Sequence, residues 1–288
     1  MADVVIVAGV RTPFGRFGGS LRGFDGIELS AMVMREALRR VGIEGGLVDE
    51  VYWGVGDTAS CKDVYTPVLA RQALLRAGLP ATTISCSLDK ACVSATSAII
   101  LGCRAIASGE AKVVLAGGVT TFSRMPLVVR GLRFEGNRLG PITMEDPLFE
   151  LGYKDYNPVA VDAGEVALEH GISREEQDEW ALRSHKLYGA AHSAGRLRDE
   201  MLPVEVKASA KEPARVLDID EQYRPDVTLE RLAKLPTIYG SPTCTVGNSP
   251  RAERWFCLRN AYGCSNSGES GIGAAGHSGR RDVNRAPA

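Results

Sequence analysis

Across the first 120 residues, short apolar runs that stop at glycine alternate with stretches whose apolar residues fall at helical spacing. The run 4–10, VVIVAGV, is continuously apolar and leads into Arg11-Thr12-Pro13, which predicts a strand buried on both faces that feeds a loop. Residues 28–41 place Leu29, Met32, Val33, Ala37, Leu38 and Val41 at helical spacing and stop at Gly42, the residue type that most readily takes the left-handed turn ending a helix. The same reading gives strands over 48–55, 83–88 and 111–116, and helices over 68–77, opened by Pro67, and 91–108. Strand and helix alternating at this spacing predict an α/β fold in which helices cover a sheet. Residues 120–152 are rich in Arg, Gly and Pro without a period and read as an elaborate loop region. Beyond them, Ser173 and Glu176 have the spacing of a capping box ahead of a helix over 173–194. Residues 201–207 read as a strand and 229–235 as a helical turn.

Composition narrows the function classes. A chain of 288 residues with 44% hydrophobic and 24% charged residues has the makings of an ordinary water-soluble core. Its formal net charge of -1 gives no field to draw it onto nucleic acid or an acidic membrane. Asp3 precedes the first apolar run where an export signal would carry basic residues. The longest apolar stretch, 91–107, contains Ser94, Thr96, Ser97 and Arg104 and reads as too short for a bilayer. These features predict a cytoplasmic protein with neither nucleic-acid nor membrane partners. The seven cysteines are odd in number and form no C-x-x-C pair, which favours reduced thiols and makes any distinctive cysteine a chemical one.

Cys92 is that cysteine. It lies between a predicted strand and a predicted helix, two residues after Lys90. Unpaired backbone N–H groups at a helix start stabilise an anion, so a thiolate there becomes a nucleophile. The helix that follows is apolar nearly all round and is expected to be buried. A plain reading stands beside this one, since cysteine is among the most buried and inert residue types. Cys86 and Cys103, inside the predicted strand and helix, fit that plain reading better.

The stretch SLDKACVSATSAIILGCRAIASG resembles the nucleophile motif of the thiolases, N-x-x-C-x-S-G, with Asp89 in place of the asparagine and Ala95 in place of the glycine. RTPFGRFGGSL is similar to the opening signature of that family, and VVLAGGVTTFSRMP to its A-G-G strand and turn. GISREEQDEWALRSH, RPDVTLERLAKL and TVGNS follow in the family's order. The resemblance implies a layered α/β fold with helices around a mixed sheet, present here as an N-terminal half plus a loop domain. It divides the chain into a catalytic N-terminal domain over 1–120, a loop domain holding coenzyme A over 121–245, and a return to the first domain over 246–250. It implies acyl transfer between acyl-CoA and acetyl-CoA or coenzyme A through an acylated Cys92, with no cofactor beyond the thioester substrate and a homodimeric or tetrameric assembly. It also places Arg224 against the nucleotide end of the coenzyme, and Val246 and Ser249 along its pantetheine arm.

Past Pro250 the resemblance stops. The family's acid/base cysteine in C-x-G, its histidine in G-H-P and its asparagine in N-E-A-F do not follow, and Cys257, Cys264 and His277 stand outside those contexts. One permitted coding of 251–257, shifted by a base, reads Gly-Leu-Asn-Asp-Gly-Ser-Ala, the continuation that the resemblance implies. The tail 251–288 is therefore read as out of frame and, being dense in Gly, Ser, Asn and Arg, as unable to pack. The rival to an impaired acyltransferase is a non-enzymatic thiolase remnant. A weaker rival is a nicotinamide oxidoreductase, because Gly54, Gly56 and Ala59 fit G-x-G-x-x-A after a strand. No G-x-S-x-G occurs, and His170, His185 and His192 lack metal-ligand spacing and read as surface residues.

Overall fold

The computed structural model describes residues 3–56, 68–134, 136–148, 156–208 and 213–249, together with the backbone of 261–266. Strand β1 (Val4–Val10) is followed by helix α1 (Gly26–Val41), β2 (Glu50–Val55), α2 (Leu69–Ala77), β3 (Ile84–Leu88), α3 (Ser94–Ser108) and β4 (Val113–Val119). Local chemistry sets the ends of these elements. Asp25 and Glu28 close a capping box at the start of α1, and Gly42 ends it at φ 66. Gly78 and Gly109 end α2 and α3 in the same left-handed way.

Parallel pairing of β2 with both β3 and β4 places β2 between them. A right-handed crossover from β2 to β3 steps one way across the sheet, and the crossover from β3 to β4 steps back the other way, so their helices fall on opposite faces. Accordingly α1 and α2 bury Val51, Trp53, Val55 and Leu115 on one face. Among the described helices, α3 is the one that packs on Val114 and Ala116 on the other. Loops following the parallel strands gather at one end of the sheet, where α/β folds collect their functional groups.

A strand β7 (Ala261–Asn266) completes the mixed sheet in the order β1-β7-β4-β2-β3, antiparallel to both neighbours. This corrects the expectation that nothing beyond Pro250 packs. The gap between β1 and β4 offers unpaired backbone on both sides, and six residues of extended chain satisfy it whatever side chains they carry. The remainder of the tail, including Cys257 and His277, lies outside the described residues.

Two further expectations are corrected. Strand β1 is an edge strand, not a doubly buried one, with Val5, Ile6 and Val7 all exposed. Helix α3 is not buried all round, because Val93, Thr96, Ile100 and Arg104 face outward from the one layer that covers its sheet face. The window Ala91–Ser108 also has the length and composition to cross a bilayer, contrary to the reading from 91–107. Its buried residues Ala98, Ala105 and Ile106 nevertheless pack on β4, as a layer of the fold.

The loop region after β4 holds an isolated antiparallel bridge between Val128 and Glu145. Then come α4 (Val159–Glu169), α5 (Arg174–Ser193), a two-stranded ribbon of β5 (Val204–Val206) and β6 (Arg215–Leu217), and α6 (Leu229–Ala233). The capping box of Ser173 and Glu176 forms as its spacing predicts. Helix α4 and strand β6 were not expected. The α4 sequence VAVDAGEVALE has apolar residues too continuous for a clear helical stripe, and β6 is only three residues long.

Candidate active site

Cys92 stands two residues before the first helical residue of α3, with its side chain exposed. Its turn is tightly bonded. Asp89 Oδ1 accepts the N–H of Ala91 at 2.8 Å, and the carbonyl of Lys90 accepts the N–H of Val93 at 3.3 Å. Asp89, where the family resemblance implied asparagine, thus supplies a carboxylate oxygen to a bond that an amide oxygen would also make. Ala95 occupies the first turn of α3 with its methyl buried. Cys86, expected inside its strand and inert, is exposed on β3 because β3 is the far edge of the sheet.

Gly54 answers the dinucleotide reading. A Cβ on Gly54 would lie 2.6 Å from both Ala95 N and Ser94 C, so the glycine is required for α3 to seat its first turn on β2. Its bareness serves helix packing, and Ala59 lies outside the described residues.

A cavity of about 320 Å³ gathers Arg224, Val246 and Ser249, the three residues picked from sequence for the coenzyme. His185, Asp226 and Arg231 line it as well, and Cys92 does not. His185, read from sequence as a surface residue, is thus a cavity residue. Its Nδ1 accepts the backbone N–H of Arg224 at 3.2 Å. Arg231 donates to Asp226 at 2.5 Å, which with a weaker pull from Arg224 holds the Asp226 carboxyl below its usual range.

Buried contacts build this cavity. Asp178 on α5 is 3% exposed and accepts from Arg174 Nε at 3.0 Å and from Asn248 Nδ2 at 3.0 Å. Asn248 Oδ1 in turn accepts the N–H of Thr245 at 2.7 Å, and Arg174 reaches the carbonyl of Leu232 at the end of α6 at 2.8 Å. One carboxylate therefore ties α5, α6 and the TVGNS turn together, fixing Val246 and Ser249. On the other wall, Tyr223 packs on Tyr188 with ring centroids 5.0 Å apart, which aims the next residue, Arg224.

The RTPFG segment is clamped to the same strip of chain. Arg11 donates to Asp220 at 2.7 Å and to Glu200 at 2.7 Å. Burial opposes the charge on Arg11, but the two carboxylates outweigh it and its pKa stays raised. Asp220 Oδ1 also accepts the N–H of Phe14, and Glu221 accepts the N–H groups of Arg16 and Ser20. Burial pushes the Glu221 carboxyl up, yet the Ser20 hydroxyl and these N–H groups hold it lowered. Tyr188, whose oxygen accepts from Asp220 N, is pushed by burial up to about 12. None of these pairings was read from the sequence, since residues 32 to 209 positions apart carry no periodic signal of contact. Among the described residues, no cluster of His, Cys, Asp and Glu is arranged to hold a metal.

Residues 4–252 match the family described as thiolase, N-terminal domain. The mitochondrial 3-ketoacyl-CoA thiolase of Homo sapiens is 39% identical over 254 residues, which are 86% of this chain and 62% of that protein. The acetyl-CoA acetyltransferase of Pseudomonas aeruginosa is 41% identical over 254 residues, 86% of this chain and 63% of that one. The crystal structure of the human mitochondrial enzyme in complex with CoA superposes with a TM-score of 0.80 at 33% identity, covering 92% of this chain and 65% of that one. The chain thus spans about three fifths of the length of the curated relatives it matches.

Proposed function

This chain belongs to the thiolase family, and on that premise we propose that it accepts an acyl group from a coenzyme A thioester onto Cys92. The Cys92 thiolate attacks the thioester carbonyl carbon, the carbon–sulfur bond to coenzyme A breaks, and the departing thiolate takes a proton from water. The product is a thioester on Cys92. The observation that carries this reading is the exposed Cys92 sulfur ahead of α3, on a chain that also draws Arg224, Val246 and Ser249 into one cavity. Arg224 and Arg231 suit that cavity to the phosphates of the coenzyme, and a related thiolase has been solved with CoA bound.

The proposal covers the accepting half-reaction. Condensation needs a base to remove a proton from a second acetyl-CoA, and the resemblance puts that base on motifs this sequence does not contain. Incubation with acetyl-CoA is expected to add the mass of one acetyl group to the peptide holding Cys92, and Cys92→Ser is expected to abolish it. No adduct would sink the proposal, and steady-state formation of a 3-oxoacyl-CoA would overturn its restriction to half the reaction. A cytoplasmic homodimer or tetramer is the form proposed with this activity.

One observation favours a second reading, a thiolase remnant without activity. Strands β1 and β3 and helix α3 leave Ile6, Ile84 and Ile100 exposed at 56%, 64% and 46%, apolar area that destabilises an uncovered fold. A cooperative thermal transition by circular dichroism would count against the remnant.

A further inference from the structure

We propose that Ser94 positions Cys92, its hydroxyl closing the 90–94 turn from both sides so that the thiol is presented ahead of α3. The inference rests on Cys92 as the acyl acceptor and adds the residue that holds it there. The Ser94 hydroxyl donates to the carbonyl of Ala91 at 2.7 Å and accepts the N–H of Lys90 at 2.7 Å. One side chain thus satisfies a donor and an acceptor on the two residues just before the thiol.

The turn needs such a tie because Ala91 lies at φ 47, in the left-handed region. A residue with a Cβ enters that region at a cost that its surroundings must offset. Asp89 contributes a bond to Ala91 N, but Asp89 is exposed and its bond competes with water. Ser94 is fully buried. Its Cβ would lie 2.8 Å from any Cβ at position 54, so the bare backbone of β2 forms the floor on which this serine sits. Without the hydroxyl, Ala91 relaxes toward negative φ and swings Cys92 away from its place before the helix.

Alkylation by iodoacetamide, followed peptide by peptide with mass spectrometry, tests this, with exposed Cys86 as the internal reference. Ser94→Ala is expected to slow alkylation and acetylation of Cys92 by about tenfold or more, the scale of a released left-handed alanine. Cys86 should be unaffected. Adding Ala91→Gly to Ser94→Ala is expected to restore most of the rate, because glycine holds a positive φ without help. A lost packing contact alone would not be rescued in this way. An unchanged Cys92 rate in Ser94→Ala, or no rescue by Ala91→Gly, overturns the proposal. Should Ser94→Ala fail to fold, Ala91→Val at the exposed position 91 loads the same turn with a β-branched residue. It is expected to slow Cys92 alone, and an unchanged rate overturns the proposal. Alkylation needs no coenzyme, so absent acetylation of the parent chain would count against the acyl-acceptor reading while the Ser94 comparison still gives its answer.

Discussion

Asp178 shows how one residue can organise a site it does not line. It is buried on α5 and receives both Arg174 and Asn248, so its removal takes the carboxylate acceptor from Arg174 Nε and from Asn248 Nδ2. Asp178→Ala is expected to destabilise the chain by about 2–4 kcal/mol and to weaken coenzyme A binding. Urea unfolding and calorimetric titration would measure the two effects. Equal stability to the parent chain would show that the clamp contributes nothing. Glu36 on α1 gives a pH signature. A hydrogen bond from Arg39 is the largest influence and, with a lesser one from Arg40, it outweighs the opposing effect of burial, which ranks between them, and lowers the carboxyl from 4.5 to about 2. A depressed folded-state pKa contributes stability that is present above pH 4.5 and lost as pH falls toward 2. Glu36→Gln is expected to flatten that part of the acid unfolding curve, read by circular dichroism, and an unchanged curve would refute the assignment. The reach of sequence at this scale is uneven. Cys92, Arg224, Val246 and Ser249 were picked out in advance, whereas His185 was set aside because a lone histidine on a helix gives no sign of the distant chain it meets.

Among elements, α3 carries the sharpest packing constraint. Its first turn lies against Gly54 closely enough that an added methyl meets backbone at 2.6 Å. Gly54→Ala is expected to cost about 1–3 kcal/mol through overpacking and to slow Cys92 alkylation, whereas Gly46→Ala, at a position with open space around it, should do neither. Thermal melts with parallel thiol labelling would decide, and matching behaviour of the two variants would rule out the seating role. Helix α1 was legible from its apolar spacing and Gly42, and α5 from the box of Ser173 with Glu176, because these signals act within a few turns of chain; the box of Asp25 with Glu28 that starts α1 is equally local but was not read. The exposed face of α3 was not legible. An apolar helix looks alike whether one layer or two cover it, and only sheet topology reveals that, among the described helices, α3 is the one on its side of the sheet.

At the scale of the molecule, two of the places where apolar residues face outward stand out. One is the α3 face of the sheet. The other is the loop region, where Phe134 and Leu139 are 93% and 95% exposed and Leu132, Ile142 and Met144 stand near them in sequence. Exposure on this scale marks surfaces that associate. Light scattering coupled to size exclusion is expected to report a dimer or tetramer at micromolar concentration, and Phe134→Ser with Leu139→Ser is expected to shift it toward monomer. A parent chain that elutes as a monomer would remove the case for assembly.

The sequence by itself determined the order and type of the main elements, the family, and the cysteine on which the proposed chemistry centres, because caps, periodicity and short motifs act over a few residues. Tertiary structure decided which faces are covered, that Gly54 makes room for the first turn of α3, and that Asp178 and Asn248 assemble the cavity. Those outcomes depend on contacts between residues far apart in the chain, and such contacts exist only once the sheet order and crossover hand have brought their elements together.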